Sequence, residues 1–204
     1  MRVYLRAFQL DDYRLINQWR NDEEVTRLTA GNRFYVPPER DKKWVEEKLY
    51  DDSKQIYWAI CLKETGEMIG YTGITDINWI NRTADLHALV IGDPKHRNLR
   101  NSTDAVYMVL KYVFDDLGLN RVFAFYLEEH QSSILLGRMM GFKQEGVFRD
   151  HVYKDGRYHN VVWFGLLRDE FERLRSKYAE CDGAYRDARK QAPSAFPRPL
   201  HHSA

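Results

Sequence analysis

The sequence predicts an α+β fold, a mixed but mostly antiparallel sheet flanked by helices, and three observations carry that expectation. Between Gln55 and Ile91 three strand-like segments follow one another with only short turns, as in an antiparallel meander. Beyond them the period changes, and a helical segment, a lone apolar strand and a shorter helix come in sequence. The chain then reaches two strand-like runs around Asp155-Gly156, a dipeptide favoured in tight hairpin turns because both positions tolerate positive φ. The order is β-α-α-β-β-β-α-β-α-β-β, without the regular strand–helix alternation of a doubly wound sheet.

Each element has its own signal. Residues 2–8 (RVYLRAF) open with a strand that sets Val3 and Leu5 on one face. From Asp11 to about Glu24 the spacing of Tyr13, Ile16, Trp19 and Arg20 is helical, with Asp11 or Asp12 as N-cap. A second helix starts after Pro37-Pro38, since proline fits a first helical turn, and carries Trp44, Val45 and Leu49. QIYWAICL (55–62) is the first meander strand, ending at the turn Glu64 to Glu67. MIGYTGITDI (68–77) follows, with Gly70 and Gly73 marking a bulge or a close backbone approach. ADLHALVIG (84–92) is the third. Residues 102–117 form the clearest helix, capped by Ser102 and stopped by Gly118. RVFAFYL (121–127) reads as a buried strand, SSILLGRMM (132–140) as a short helix closed by Gly141, and Arg168 to about Glu180 as a terminal helix. One domain is expected over residues 1–180, with a loose tail over 181–204.

Composition narrows the classes. Among 204 residues, 31 Lys and Arg face 30 Asp and Glu, so no general attraction to nucleic acid or an anionic membrane is expected. Hydrophobic residues at 44% and aromatics at 14% suffice for a core, which excludes global disorder. Cys61 and Cys181 form no CxxC pair and read as reduced thiols. His201 and His202 make no metal set, and no metal is expected. The first residues lack the apolar stretch of a signal peptide, and no apolar run approaches the roughly 18 residues of a membrane helix. A cytoplasmic protein without membrane contact is the expectation. There is no GxSxG elbow, Walker loop or HExxH pair.

Three stretches, IGDPKHR (91–97), MMGFKQEGVFRDHVYKDGRYHNVV (139–162) and GLLRDEF (165–171), follow the opening VYLRAFQLDDYRLINQWRND in a specific order and spacing. Together they resemble the RimJ/RimL-type branch of the GNAT superfamily of N-acetyltransferases, over residues 3–172. The resemblance implies a GNAT-like sheet, acetyl-CoA as co-substrate, and transfer of an acetyl or related acyl group to a primary amine. A protein N-terminus, a polyamine or an aminosugar would be the acceptor, and a homodimer is a further implication. In relatives the strand matching ADLHALVIG bonds the pantetheine arm through its main chain, which assigns Leu89, Val90 and Ile91 to the cofactor. The next loop resembles R-x-x-G-x-G/A and holds the pyrophosphate at a helix start, where backbone amides lack partners and the dipole favours anions.

Here that loop reads Arg97, Asn98, Leu99, Arg100, Asn101, Ser102, Thr103. Arg97 matches, but Arg100 and Ser102 stand at the glycine positions, and Asn98 where this branch often has a third glycine. A glycine lets phosphate approach the backbone with no Cβ in the way. Arg100 could instead pair with a phosphate from outside, while Asn98 and Asn101 tolerate left-handed conformations. His130 replaces an Asn that the superfamily often carries, and Gly137 a Tyr placed to protonate the departing thiolate.

Asp85 falls where this branch tends to have an acidic residue. As a base it would take the proton of the attacking amine; as a structural group it would pair with Arg82 or another arginine across the sheet. His87, two residues on and so on the same strand face, is a second candidate base, since imidazoles as a class exchange protons readily, or else a solvent-facing or hydrogen-bonded core histidine. Phe34, Tyr35 and Trp79 sit in loops that line the acceptor groove of relatives, and Tyr153, with Arg157 and His159, flanks the hairpin turn on the acceptor side or at a dimer contact. The loop without glycines leaves two alternatives. One is a donor other than free CoA, such as a carrier-protein thioester or an aminoacyl-tRNA, tRNA being the one nucleic acid still in view. The other is a non-catalytic GNAT-fold binding protein.

Overall fold

The computed structural model describes residues 1–29, 34–50, 53–175 and 178. The expected tail, Cys181 and the histidines at 201 and 202 lie outside the described residues. Seven strands are present: β1 (Val3–Ala7), β2 (Ile56–Leu62), β3 (Met68–Asn78), β4 (Thr83–Ile91), β5 (Arg121–Leu127), β6 (Lys143–Lys154) and β7 (Arg157–Leu167). They form one sheet in the order β1-β2-β3-β4-β5-β7-β6. Every neighbouring pair is antiparallel except β4 and β5. The helices are α1 (Tyr13–Arg20), α2 (Glu23–Thr26), α3 (Pro38–Tyr50), α4 (Leu99–Lys111), α5 (Gln131–Met139) and α6 (Arg168–Arg175).

Two apolar layers hold the sheet between helices. On one face Ile16 and Trp19 of α1 and Val45 of α3 pack against Phe8, Ala59, Cys61 and Tyr71. On the other, Val106 and Leu110 of α4 and Phe171 of α6 join Trp58, Ile60, Val122, Ala124 and Phe164 in the larger core. Helical spacing on one side and strand alternation on the other thus meet in a common interior. After Lys111 the helix widens into a π turn, Tyr112–Asp116, whose Tyr112 and Phe114 remain buried.

The expected first helix is broken. A 3-10 turn, Leu10–Asp12, precedes α1, and Asp12 does not cap it. Its carboxylate instead binds both guanidinium nitrogens of Arg6, at 2.7 and 2.8 Å, and the Gln9 amide. Asn21 ends α1 and ties itself to the Val36 backbone, donating through Nδ2 and accepting through Oδ1. Asp22 then restarts the chain as the N-cap of α2 by accepting the Glu24 amide. The helix expected from residue 102 starts earlier, at Leu99, and the terminal helix is described only to Arg175.

The meander, the hairpin at Asp155-Gly156 and the close approach at Gly70 are all present. A Cβ at Gly70 would stand 2.1 Å from the Val90 carbonyl oxygen. Gly70→Ala must therefore push β3 away from β4. We expect it to cost about 2–3 kcal/mol in urea unfolding, with the folded spectrum retained.

Candidate active site

The parallel pair β4–β5 is joined only at Thr83–Arg121, Ala84–Val122 and Asp85–Phe123. Past that point β4 bulges. Tyr71 still faces Val90 and Gly73 faces His87, so Thr72 stands opposite both Ala88 and Leu89, and Ala88 takes a positive φ of 52°. A slot opens between the strands, a cavity of about 330 Å³. Leu86 to Val90 wall it on one side and Phe125 to Leu127 on the other, with Gly137 of α5 and Arg20 of α1 among the residues that close it. The facing edges of β4 beyond Asp85 and β5 beyond Phe123 have no strand partner. Main-chain N–H and C=O groups inside a protein need partners, and a ligand bearing amides can supply them as an added strand would.

Register partners share a face of a sheet. Asp85, His87, Phe123 and Phe125 therefore point to the side that carries α1 and α3, whereas Ala124 and Tyr126 point to the side of α4 and α5. Asp85 is 3% exposed; its Oδ2 accepts the Thr75 hydroxyl at 3.4 Å and faces the His87 Nδ1 at 3.4 Å. The arginine pairing considered for Asp85 does not occur among the described contacts. A buried carboxylate and a half-exposed imidazole thus stand together on one side of the slot.

The opposite side holds a group that sequence reasoning missed. A Cβ at Gly137 would lie 3.5 Å from the Tyr126 ring and 3.6 Å from its hydroxyl. The space beside Gly137 is occupied by a phenol from β5 rather than one from α5. Tyr126 lines the cavity, and burial, reinforced by the charge of Asp85, raises its pKa. It therefore stays protonated at neutral pH. Tyr71, buried beside Trp19, is pushed up to about 12 by burial. His130 also lines the cavity, with Nε2 at 3.1 Å from the Ser133 hydroxyl; burial, then the nearby Arg27 charge, lowers its pKa and keeps the imidazole neutral.

The loop before α4 differs from expectation. Asn98, not Ser102, is the N-cap: its Oδ1 accepts the Asn101 amide at 2.9 Å, so Leu99 to Thr103 are already helical. Both asparagine and serine cap well, and here the earlier one prevails because Asn101 is also held by a bond from its Nδ2 to the His96 carbonyl. The Leu99 and Arg100 amides take no acceptor among the described residues, and the Arg100 side chain is exposed. Arg97 is engaged elsewhere. It reaches Glu24 at 2.9 Å, Asp22 at 3.2 Å and the carbonyls of Ile91 and Gly92, binding α2 to the end of β4.

Of the expected acceptor residues, only Phe34 lines the cavity. Tyr35 is exposed outside it. Trp79 sits at the β3–β4 turn with Nε1 donating to the Ser53 carbonyl, and Tyr153 rests against Tyr158 near the hairpin tip. Leu89 and Val90 line the slot, while Ile91 lies just beyond its lining. His159 is buried, its Nε2 donating to the Lys154 carbonyl and its Nδ1 meeting Glu129. Lys154 gives Nζ bonds to the carbonyls of Thr26, Arg27 and Thr29, at 2.7 to 2.9 Å, which fixes the segment after α2 against the hairpin. Among the described residues no cluster of His, Cys, Asp or Glu is placed to hold a metal, and no helix is long and apolar enough to cross a membrane.

The two central parallel strands thus part around a cavity that α4 and α5 also line, through Val106 and Gly137 among others. The chain belongs to the acetyltransferase (GNAT) domain family, whose pattern matches residues 2–143. It is 31% identical over 171 residues to an N-acetyltransferase of Bacillus licheniformis called p20, covering 83% of this chain and 95% of the relative. It is 20% identical over 170 residues to a spermidine N(1)-acetyltransferase of Vibrio cholerae, covering 83% and 95%. The crystal structure of a Vibrio cholerae spermidine N-acetyltransferase with CoA and spermine superposes with a TM-score of 0.76 at 19% identity, covering 84% of this chain and 98% of that one.

If Arg97 is a clamp between α2 and β4, Arg97→Gln should lower stability by about 1–2 kcal/mol in chemical unfolding. The acetyl-CoA dissociation constant, measured by calorimetry on the folded variant, should change less than about threefold, under 0.7 kcal/mol.

Proposed function

We propose that this N-acetyltransferase moves an acetyl group from acetyl-CoA to a primary amine, in the manner of the RimJ/RimL-type branch. The observation that carries the reading is the slot, which has unpaired strand edges along its length, proton acceptors on one face and a protonated phenol on the other. The residues fit the donor. The edges of β4 (Leu86 to Ile91) and β5 (Ala124 to Leu127) would hold an amide-bearing arm, and the free Leu99 and Arg100 amides with the Arg100 guanidinium would meet its phosphates. The thioester supplies an activated acyl carbon next to a good leaving group.

The chain's own groups then divide the proton traffic. An amine entering from the face of α1 and α3 meets His87 and, behind it, Asp85, which take its proton as the N–C bond forms. The strained turn at Ala88 alters the direction of the main-chain amides beside the slot, where an N–H can face oxygen as it gains negative charge. The C–S bond breaks toward the other face. Tyr126 gives its proton to the departing sulfur there and recovers one from solvent, so one proton leaves nitrogen and one arrives at sulfur. The named activity of the spermidine acetyltransferases supports a small amine as acceptor.

A second reading keeps transfer but changes the donor. It is favoured by the engagement of Arg97 and by the Asn101 amide already taken by Asn98. Calorimetry with acetyl-CoA separates the two: micromolar binding by the wild type supports free CoA, whereas binding gained only in Arg100→Gly supports another donor. Where transfer is observed, Tyr126→Phe should lower kcat on the order of 10²-fold with acetyl-CoA affinity retained. Asp85→Asn should lower kcat/KM by at least a similar factor in the same assay.

A further inference from the structure

Resting on the transfer reading, we infer that the acceptor is a monoamine joined by a short linker to an aromatic ring, seated on a file of aromatic side chains that begins at Asp85. Phe123 is the register partner of Asp85, and Phe125, two residues on, lines the cavity. Trp163, the partner of Phe125 on β7, stacks on Phe123 at 5.1 Å and 15° and on Phe125 at 5.6 Å and 14°. Phe148 on β6 continues the file, 5.4 Å from Trp163, and leads to His151 at 5.2 Å. Phe123, Phe125 and Trp163 are only partly buried and Phe148 is 45% exposed. On this face α1 and α3 pack over β1 to β3, while α2 and the segment after it meet the far end of β6 through Lys154. Between them Phe123, Trp163 and Phe148 keep part of their surface exposed, a path leading away from the buried carboxylate.

The rings and the charges together select the occupant. The planes of Phe123 and Phe125 lie within 15° of that of Trp163, with centroids 5.1 and 5.6 Å away, so the three rings form one stacked array. Such an array takes a further ring by offset or edge-to-face contact, beyond the apolar area buried. The cavity's charges agree. Among the described residues that line it, Asp85 is the one carboxylate, and Arg20, His87 and His130 are its other ionisable groups besides tyrosines. Arg20 is itself paired with the buried Asp41. One ammonium finds a counter-charge in the cavity; the further cations of a polyamine would find no second carboxylate among its described lining residues. Two sources present the same chemistry, a free arylalkylamine and a peptide whose first residue is aromatic.

The test follows thiol release from acetyl-CoA by the full chain with tryptamine, a peptide beginning with Trp, spermidine, and butylamine as an amine without a ring. Tryptamine or the peptide should exceed both spermidine and butylamine in kcat/KM by at least about tenfold, and the better of the two identifies the source. Phe148→Ala, at an exposed position, and Trp163→Leu should each lower the ratio of kcat/KM for the aromatic acceptor to that for butylamine about tenfold. The inference is overturned if spermidine is preferred, or if both variants leave that ratio unchanged. It is also overturned if light scattering shows a dimer that Phe148→Glu dissociates, since the file would then be a subunit contact. Tight acetyl-CoA binding with no release from any of the four amines removes this inference while leaving the donor site; no acetyl-CoA binding at all removes the transfer reading itself.

Discussion

Three residue pairs join the two central strands, and the functional architecture depends on where that junction stops. Thr83 to Asp85 lie beside Arg121 to Phe123, which makes the two halves of the molecule one sheet. Immediately beyond, the extra residue at Ala88 turns β4 aside, while β5 stays fully paired to β7. The result is an interior edge on each side of a cavity, a feature a sheet would ordinarily remove by pairing or covering. Gly70 supports the arrangement from the far side, where β3 approaches the Val90 carbonyl more closely than any side chain would allow. A positive-φ residue and two unpaired backbone edges thus meet at the slot, the kind of site where strain and function coincide.

The same junction sorts the chemistry by face. Because side chains alternate along a strand, adjacent residues of β5 serve opposite sides of the slot: Phe125 belongs with Asp85 and His87, Tyr126 with Gly137 and α5. In the transfer proposed above, acceptor and donor would enter from different directions. The surrounding contacts hold the walls rather than react. Arg97 ties α2 to the end of β4, and Lys154 ties the segment after α2 to the hairpin, so the loops over the slot are anchored at two points distant in sequence.

Much of this was legible in the sequence, because period and turn chemistry are local. The meander, the hairpin at Asp155-Gly156, the helix through Val106 and Leu110, and the common face of Asp85 and His87 all follow from spacing. What was not legible depends on partners far along the chain. Asp12 looks like a cap until Arg6 claims it, and Arg97 looks like a phosphate ligand until Asp22 and Glu24 do. The start of α4 hinged on two residues that both cap well, Asn98 and Ser102. Tyr126 was hidden because RVFAFYL is apolar almost throughout, so its pattern does not reveal which residues face the slot. The empty place at Gly137 was visible, but not the phenol from the preceding strand that fills it.

The parted edges of β4 and β5 are the proposed seat of the acyl donor. Hydrogen–deuterium exchange with and without saturating acetyl-CoA tests that placement most directly. Within residues 86–91 and 124–127, the amides that point into the slot, away from β3 and β7, should exchange readily in the free protein. They should become protected on binding, with the fully paired β2 unchanged. Protection confined to other segments, or no change in these two at saturating acetyl-CoA, would contradict it.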